Sequence, residues 1–287
     1  MSPRDPLIAV TGATGTIPRT AVSELLRAGK RARLLARDPS RAPAGAASVT
    51  ADLSRPDTLG PALAGVDTLV LVTGATPDLV TQHRSVLEAA RAAGVRKVVR
   101  VSAWGADPTS SIGLGRWHGE LDAAFQASGL VYVSLQPHGF QQNTLGYADP
   151  VKREGAVYAP LGQGRVCYVD ARDIGAVAAA VATTDTWDGE TLELTGPAAF
   201  SYAELAATLG EALGRTVKYV DTPPATVRQV LLGGGWPAWL VDDLLALSQL
   251  YAANLASTPT DTVARVLGRP ATDLARFFAD HRAVFTP

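Results

Sequence analysis

The chain has a single cysteine, a single methionine and no long apolar run. One thiol, Cys167, excludes an intramolecular disulfide and a multi-cysteine metal centre. It sits in "GRVCYVD", which alternates as a strand does, and reads as a buried, inert thiol rather than a reactive one. No stretch approaches the roughly 18 apolar residues that span a bilayer. "MSPRDPLIAV" enters a strand at once, without the apolar core of a signal peptide. A cytoplasmic protein with no membrane partner is therefore expected. Charge of one sign is also lacking. Lys and Arg number 26 and Asp and Glu 27, for a formal net charge of −1. There is no basic block, so no nucleic-acid footprint is expected. The histidines His83, His118, His138 and His281 show no paired spacing, and no metal is expected. A hydrophobic content of 47% against 18% charged allows a substantial core and excludes wholesale disorder. A length of 287 residues allows one large or two modest domains.

What is present is an alternation. "LIAVT" (7–11), "RARLLA" (31–36), "ASVTAD" (47–52), "DTLVLVT" (67–73), "KVVRVS" (97–102) and "LVYVSLQ" (130–136) read as strands. Helical patterns separate them at 18–29, around 56–64, at 78–94 and around 115–128. Near-continuous apolar strands alternating with helices predict an α/β fold, a doubly wound parallel sheet of Rossmann type with helices on both faces. The second part is less regular. Residues 157–184 read as a strand or loop pair and a helix. "ETLELTG" (190–196) is a further strand. "SYAELAATLGEALGR" (201–215) is an amphipathic helix with Ser201 as N-cap and Glu204 closing a capping box. "TVKYVD" is a strand, and 224–256 is helical with Pro237 interrupting it. We expect a dinucleotide-binding domain over 1–145 and a smaller substrate domain over 146–287, with about 166–196 returning to the first.

"VTGATGTIPR" (10–19) follows a strand and opens a helix, the context in which a glycine-rich turn holds a pyrophosphate. Gly12 permits the tight turn, Gly15 lets the phosphates approach the backbone, and the helix start adds unpaired N–H groups. Pro18 stands where a third glycine would allow close helix packing, yet proline is tolerated in a first helical turn. The alternative is an ordinary glycine-rich loop. At the end of the second strand, where NAD sites carry a carboxylate, stand Ala36 and Arg37, with Arg41 one turn on. Guanidinium groups suit a 2′-phosphate, which points to NADP(H); otherwise they are solvated loop charges.

Beyond these features, "VTGATGTIPR", "LLARDPSRA", "AARAAGVRKVVRVSAWGA", "WHGELDAAFQASGLVYVSLQPHGFQQN", "YVDARDIGAVAA" and "GRPATDLARFFADHRAVF" resemble the NmrA-like atypical short-chain dehydrogenase/reductases over almost the full length. The resemblance implies a Rossmann domain that binds NADPH and a small C-terminal substrate domain. That group includes quinone, enone and ketone reductases, and also redox-sensing regulators that bind the dinucleotide without turnover. It implies that Thr11, Gly12, Thr14, Gly15, Thr16 and Ile17 contact the pyrophosphate, Arg37 the 2′-phosphate and Asp52 the adenine edge. Thr73 and Gly74 would line the ribose–nicotinamide path.

One departure matters most. Reductases of the superfamily use a Tyr-x-x-x-Lys pair with a serine, the tyrosine donating the proton. Aligned on "SGL" (128–130) and Asp122, the lysine position is His118, the tyrosine position Leu114 and the serine position Ser102 or Ala103. His118 and Ser102 are then the catalytic candidates, with the imidazole expected to titrate near neutral pH. The favoured reading is an NADPH-dependent reductase of a ketone or quinone in a bulky aromatic, polyketide-like substrate of secondary metabolism. A redox-sensing regulator is the alternative, and an NAD-dependent epimerase is disfavoured by Arg37. Trp104, His138, Phe140, Gln141 and Asn143, at the carboxyl edge of the sheet, are substrate candidates. So are Trp236 and Trp239 in "GGGWPAWLVDD", either as a lid or as small-domain core. A monomer or homodimer is expected.

Overall fold

Every residue of LIAVT, TLVL and KVVRV is buried, which only a sheet covered on both faces achieves. The computed structural model describes residues 5–12, 15–43 and 45–286. Along the chain the elements are β1 (Leu7–Thr11), α1 (Thr16–Arg27), β2 (Arg31–Ala36), β3 (Ala47–Thr50), α2 (Leu59–Leu63), β4 (Thr68–Leu71), α3 (Leu79–Ala92), β5 (Lys97–Val101), α4 (Gly113–Gln126) and β6 (Val131–Pro137). Then follow α5 (Ala148–Glu154), β7 (Ala156–Ala159), β8 (Arg165–Val166), α6 (Ala171–Ala182), β9 (Thr191–Leu194), β10 (Phe200–Ser201), α7 (Tyr202–Leu213) and β11 (Lys218–Asp221). Helices α8 (Pro224–Gly233), α9 (Ala238–Ala252), α10 (Thr262–Leu267), α11 (Leu274–Asp280) and α12 (Arg282–Phe285) complete it.

The main sheet has seven strands in the order β3-β2-β1-β4-β5-β6-β9, and every pairing is parallel. The doubly wound α/β fold expected from the alternation is the one observed. The winding reverses between β1 and β4, where such sheets bind ligands at their carboxyl ends. Leu7, Leu35, Leu69, Leu71 and Val98 pack with Leu63 of α2, Val86 of α3, and Leu121 and Phe125 of α4. Helix α6 packs against α1 and against β4 and β5. Strand β5 alternates accordingly. Val98 joins the α2–α4 side, whereas Lys97 sends its ammonium to the carbonyls of Val181 and Thr184 at 3.0 and 2.7 Å and to Asp188.

The chain forms two compact units. The first comprises 1–137, Ala171–Leu194 and Thr262–Gly268; the second comprises His138–Asp170, Thr195–Asp261 and Arg269–Pro287. In the second unit β7 pairs parallel with β11 and β8 antiparallel with β10. Its interior holds Tyr168, Tyr202 and Tyr251, with Tyr168 and Tyr202 sharing a hydrogen bond of 2.9 Å. Helix α7 starts with the expected capping box: Ser201 Oγ accepts from Glu204 N–H and Glu204 accepts from Ser201 N–H. Helix α8 buries none of its residues.

Candidate active site

The glycine turn joins β1 to α1. Gly12 sits at φ +90°, a conformation that L side chains rarely adopt. A Cβ there would meet the Val72 carbonyl and the Pro18 ring at 3.4 Å, and a Cβ on Gly15 would meet the same ring at 3.3 Å. Pro18 is buried and packs its ring beneath both glycines. The residue that departs from the fingerprint therefore supports the turn from inside. Thr11 is also buried; its hydroxyl donates to the Val72 carbonyl at 2.7 Å and accepts from the Val72 N–H at 2.8 Å. That bridge takes up the backbone groups of Val72, and β4 ends at Leu71 rather than running to Thr73. The Thr11 hydroxyl faces this bridge, so what Thr11 contributes to the turn is position.

Helix α1 has Gly15 as N-cap with no side-chain cap, and no acidic residue in its first turn. The N–H groups of Thr16 and Ile17 have no intrahelical acceptors, and Pro18 has no N–H. An uncapped helix start with its positive dipole end fits a pyrophosphate. Arg37 is exposed just beyond β2 and makes no hydrogen bond or ion pair with a described residue. The neighbouring carboxylate, Asp38, accepts from Ser40 N–H at 3.1 Å and Ser40 Oγ at 2.6 Å. Asp52 is half-buried and its carboxylate accepts from Ser54 N–H at 3.0 Å. Gly74 is exposed in the loop after β4. Thr14 and the Arg41 side chain lie outside the described residues.

Beneath the carboxyl ends of β4, β5 and β6 lies a buried polar network. Arg100, fully buried in β5, donates from Nη1 to Asp122 Oδ1 at 2.6 Å. Its Nε donates to His83 Nδ1 at 3.0 Å and its Nη2 lies 2.8 Å from His118 Nδ1. Asp122, on α4, also accepts from Ser102 Oγ at 2.8 Å, from the Tyr132 hydroxyl, and from Ser134 Oγ and Gln136 Nε2 at 3.1 Å each. A buried guanidinium–carboxylate pair needs its remaining polar atoms engaged, and here each nitrogen of Arg100 and both oxygens of Asp122 have partners. His83 Nε2 lies 2.8 Å from Thr73 Oγ1. Two of the expected residues, Ser102 and His118, thus meet in one network with Thr73.

The network changes what these groups can do. Ser102 is buried and its hydroxyl hydrogen goes to Asp122. Burial, then the Arg100 charge, depresses His118 to about 3; the near-neutral titration expected from its type does not occur. The same two causes, with His118 itself, hold His83 well below its usual range. Both rings are neutral at physiological pH. Burial, reinforced by the Asp122 charge, keeps the Tyr132 phenol protonated. Neither Arg100 nor His83 is singled out by the motifs, and Asp122 served only to set register. The available signal was the arginine in "KVVRVS": a charge inside a central parallel strand must have a buried partner.

The other expected residues fall elsewhere. Trp104 is half-buried beyond β5, its backbone N–H on the Pro137 carbonyl at 3.0 Å. The rest belong to the second unit. His138 is buried, Phe140 half-buried in a bridge to Val169, and Asn143 exposed. Gln141 is buried with its amide donating to the carbonyls of Tyr168 and Thr272 at 3.3 and 2.9 Å. Trp236 is 46% exposed between α8 and α9, and Trp239 half-buried in α9.

A parallel sheet whose switch point carries an uncapped helix start and a turn entered through a positive-φ glycine is the architecture of a dinucleotide-binding protein. The family model for NAD(P)H-binding proteins matches residues 12–185. An NAD(P)H azoreductase of Xenophilus azovorans is 38% identical over 97% of this chain and 99% of its own. Quinone oxidoreductase 2 of Escherichia coli is 32% identical over 94% of this chain and 96% of its own. A crystal structure of an Escherichia coli NADPH-dependent quinone oxidoreductase in complex with NADPH superposes with a TM-score of 0.87 at 29% identity, covering 96% of this chain and 99% of that one. The chain belongs to the NAD(P)H-binding family.

Proposed function

We propose that this chain, an NAD(P)H-dependent oxidoreductase, uses NADPH to reduce a ketone, quinone or azo group conjugated within a bulky aromatic substrate. Arg37 supports NADPH over NADH: it is an exposed cation beyond β2, and the adjacent Asp38 carboxylate is engaged by Ser40. The azo and quinone acceptors are those named for relatives similar over nearly the whole chain.

The observation that carries the reading is the want of an acid among the described residues of the Arg100 network. Position 114 is leucine, and the one tyrosine of the first unit, Tyr132, gives its hydroxyl to Asp122. The His118 imidazole is neutral. Bound NADPH would supply a hydride. The groups that would hold it are the N–H donors of Thr16 and Ile17, the Gly12–Gly15 turn, Arg37 and Thr73. Without a strong acid, the chain suits acceptors whose charge after hydride arrival spreads over a ring or an internal hydrogen bond. His118 then supplies a hydrogen bond, and water completes the protonation.

Purified chain mixed with NADPH should lose cofactor absorbance with a naphthoquinone, an azo dye and an ortho-hydroxyaryl ketone. It should not with an aliphatic ketone of similar size, and NADH should serve less well. Silence across the panel with NADPH still bound would favour a redox-sensing regulator. Ready reduction of the aliphatic ketone would reveal a proton donor and overturn the argument.

A further inference from the structure

A guanidinium has donors and no acceptor. Any ring nitrogen facing Arg100 must therefore be unprotonated. His83 and His118 both face it through Nδ1, at 3.0 and 2.8 Å. A neutral imidazole carries one proton, so in both rings that proton is on Nε2. His83 then donates from Nε2 to Thr73 Oγ1, which leaves the threonine hydroxyl hydrogen for another acceptor. His118 is half-buried, and its Nε2 makes no hydrogen bond with a described residue. One buried side chain thus decides the polarity at both ends of the network.

We propose that Arg100 is a positioning residue that locks His83 and His118 as Nε2–H tautomers, so that Thr73 and His118 both present hydrogen-bond donors to acceptor atoms of the bound ligands. Thr73, beyond β4, would read an oxygen of the dinucleotide. His118 would read the quinone or carbonyl oxygen, or the azo nitrogen, where negative charge develops. The arrangement selects substrates whose reacting group is an acceptor and rejects those that present a donor there. The charged and titratable groups acting on His118 are Arg100 from β5, Asp122 on α4 itself and His83 from α3, while Tyr132 from β6 donates to Asp122. Arg100 and Asp122 cancel, and a second cation beside Arg100 would have no counter-charge.

This assignment rests on the reductase reading for its second half but not for its first, and one experiment separates them. The full chain labelled with ¹⁵N-histidine is examined by long-range ¹H–¹⁵N correlation, as wild type and as Arg100→Lys, which keeps a cation beside Asp122 without the planar fork. Expected in the wild type are His83 and His118 with protonated Nε2 and bare Nδ1, unchanged from about pH 5 to about pH 8. In Arg100→Lys the signals of both His83 and His118 should shift to a mixture of tautomers. The kcat for quinone reduction should fall by about 10–100-fold as His118 loses its fixed donor, and KM for NADPH should rise by about 3–10-fold as Thr73 loses its own. A wild-type His118 protonated on Nδ1, or titrating in that range, overturns the proposal even if turnover is intact. The expected tautomers without turnover of any acceptor overturn the reductase reading and the donor role with it. Arg100→Lys with altered tautomers and unchanged kcat overturns the donor role alone.

Discussion

At the scale of the residue, the decisive environment is the one around Arg100. His83 is fully buried and His118 half-buried, and both are held neutral by burial and by the same guanidinium. The consequence for stability has a definite sign. Both native pKa values lie below the ordinary 6.5. Between the two limits the unfolded chain binds protons that the native chain does not, so stability is complete above about pH 6.5 and falls as pH drops toward 3. At about pH 5.5 His118 should cost about 1.4 kcal/mol relative to neutral pH, and His83 adds a loss of the same sign. Urea unfolding at about pH 7.5 and about pH 5.5 measures this directly. A loss below about 1 kcal/mol would mean that the rings take up protons in the folded state.

At the scale of the element, α1 and α6 meet with almost nothing between them. A Cβ on Gly175 of α6 would lie 2.5 Å from the Ile17 carbonyl and 2.7 Å from Thr20 Cβ. The close helix approach that a third fingerprint glycine usually permits against the sheet is here made at α6, and Pro18 is free to pack under the turn. Gly175→Ala must push α1 away, and overpacking of this kind costs about 1–3 kcal/mol. Because Ile17 belongs to the turn proposed to hold the pyrophosphate, NADPH affinity should fall along with the melting temperature. Thermal unfolding and calorimetric titration of the variant test both; unchanged values in both would show that α1 relaxes without disturbing the turn.

At the scale of the whole molecule, the first unit is discontinuous in sequence. It recovers α6 and β9 only after the chain has run through His138–Asp170. Ten of the twelve residues of α6 are buried. That helix and the segment after it also supply every hydrogen-bond acceptor of the buried Lys97 ammonium: Val181, Thr184 and Asp188. A fragment of residues 1–145 would expose the α1 face and leave a buried lysine without partners. We expect it to show no cooperative urea transition and no NADPH uptake. A fragment with a single sharp transition would contradict that dependence on α6.

Much of this protein is legible in its sequence, for a physical reason. Strand and helix periods are local, so β1 to β6 and α7 with its capping box follow from short windows of sequence. Gly12 announces its turn because only backbone sterics are involved. The arginine of "KVVRVS" shows that something buried must answer it, but not what. Its partners lie 17, 18 and 22 residues away on α3 and α4. Composition and spacing by themselves determined the sheet, its winding and the place of the glycine turn. Only the packing of α3 and α4 against β5 decided that two histidines lie beside one guanidinium, and hence that both are neutral, because ionisation and tautomer depend on neighbours that the chain brings together only when folded.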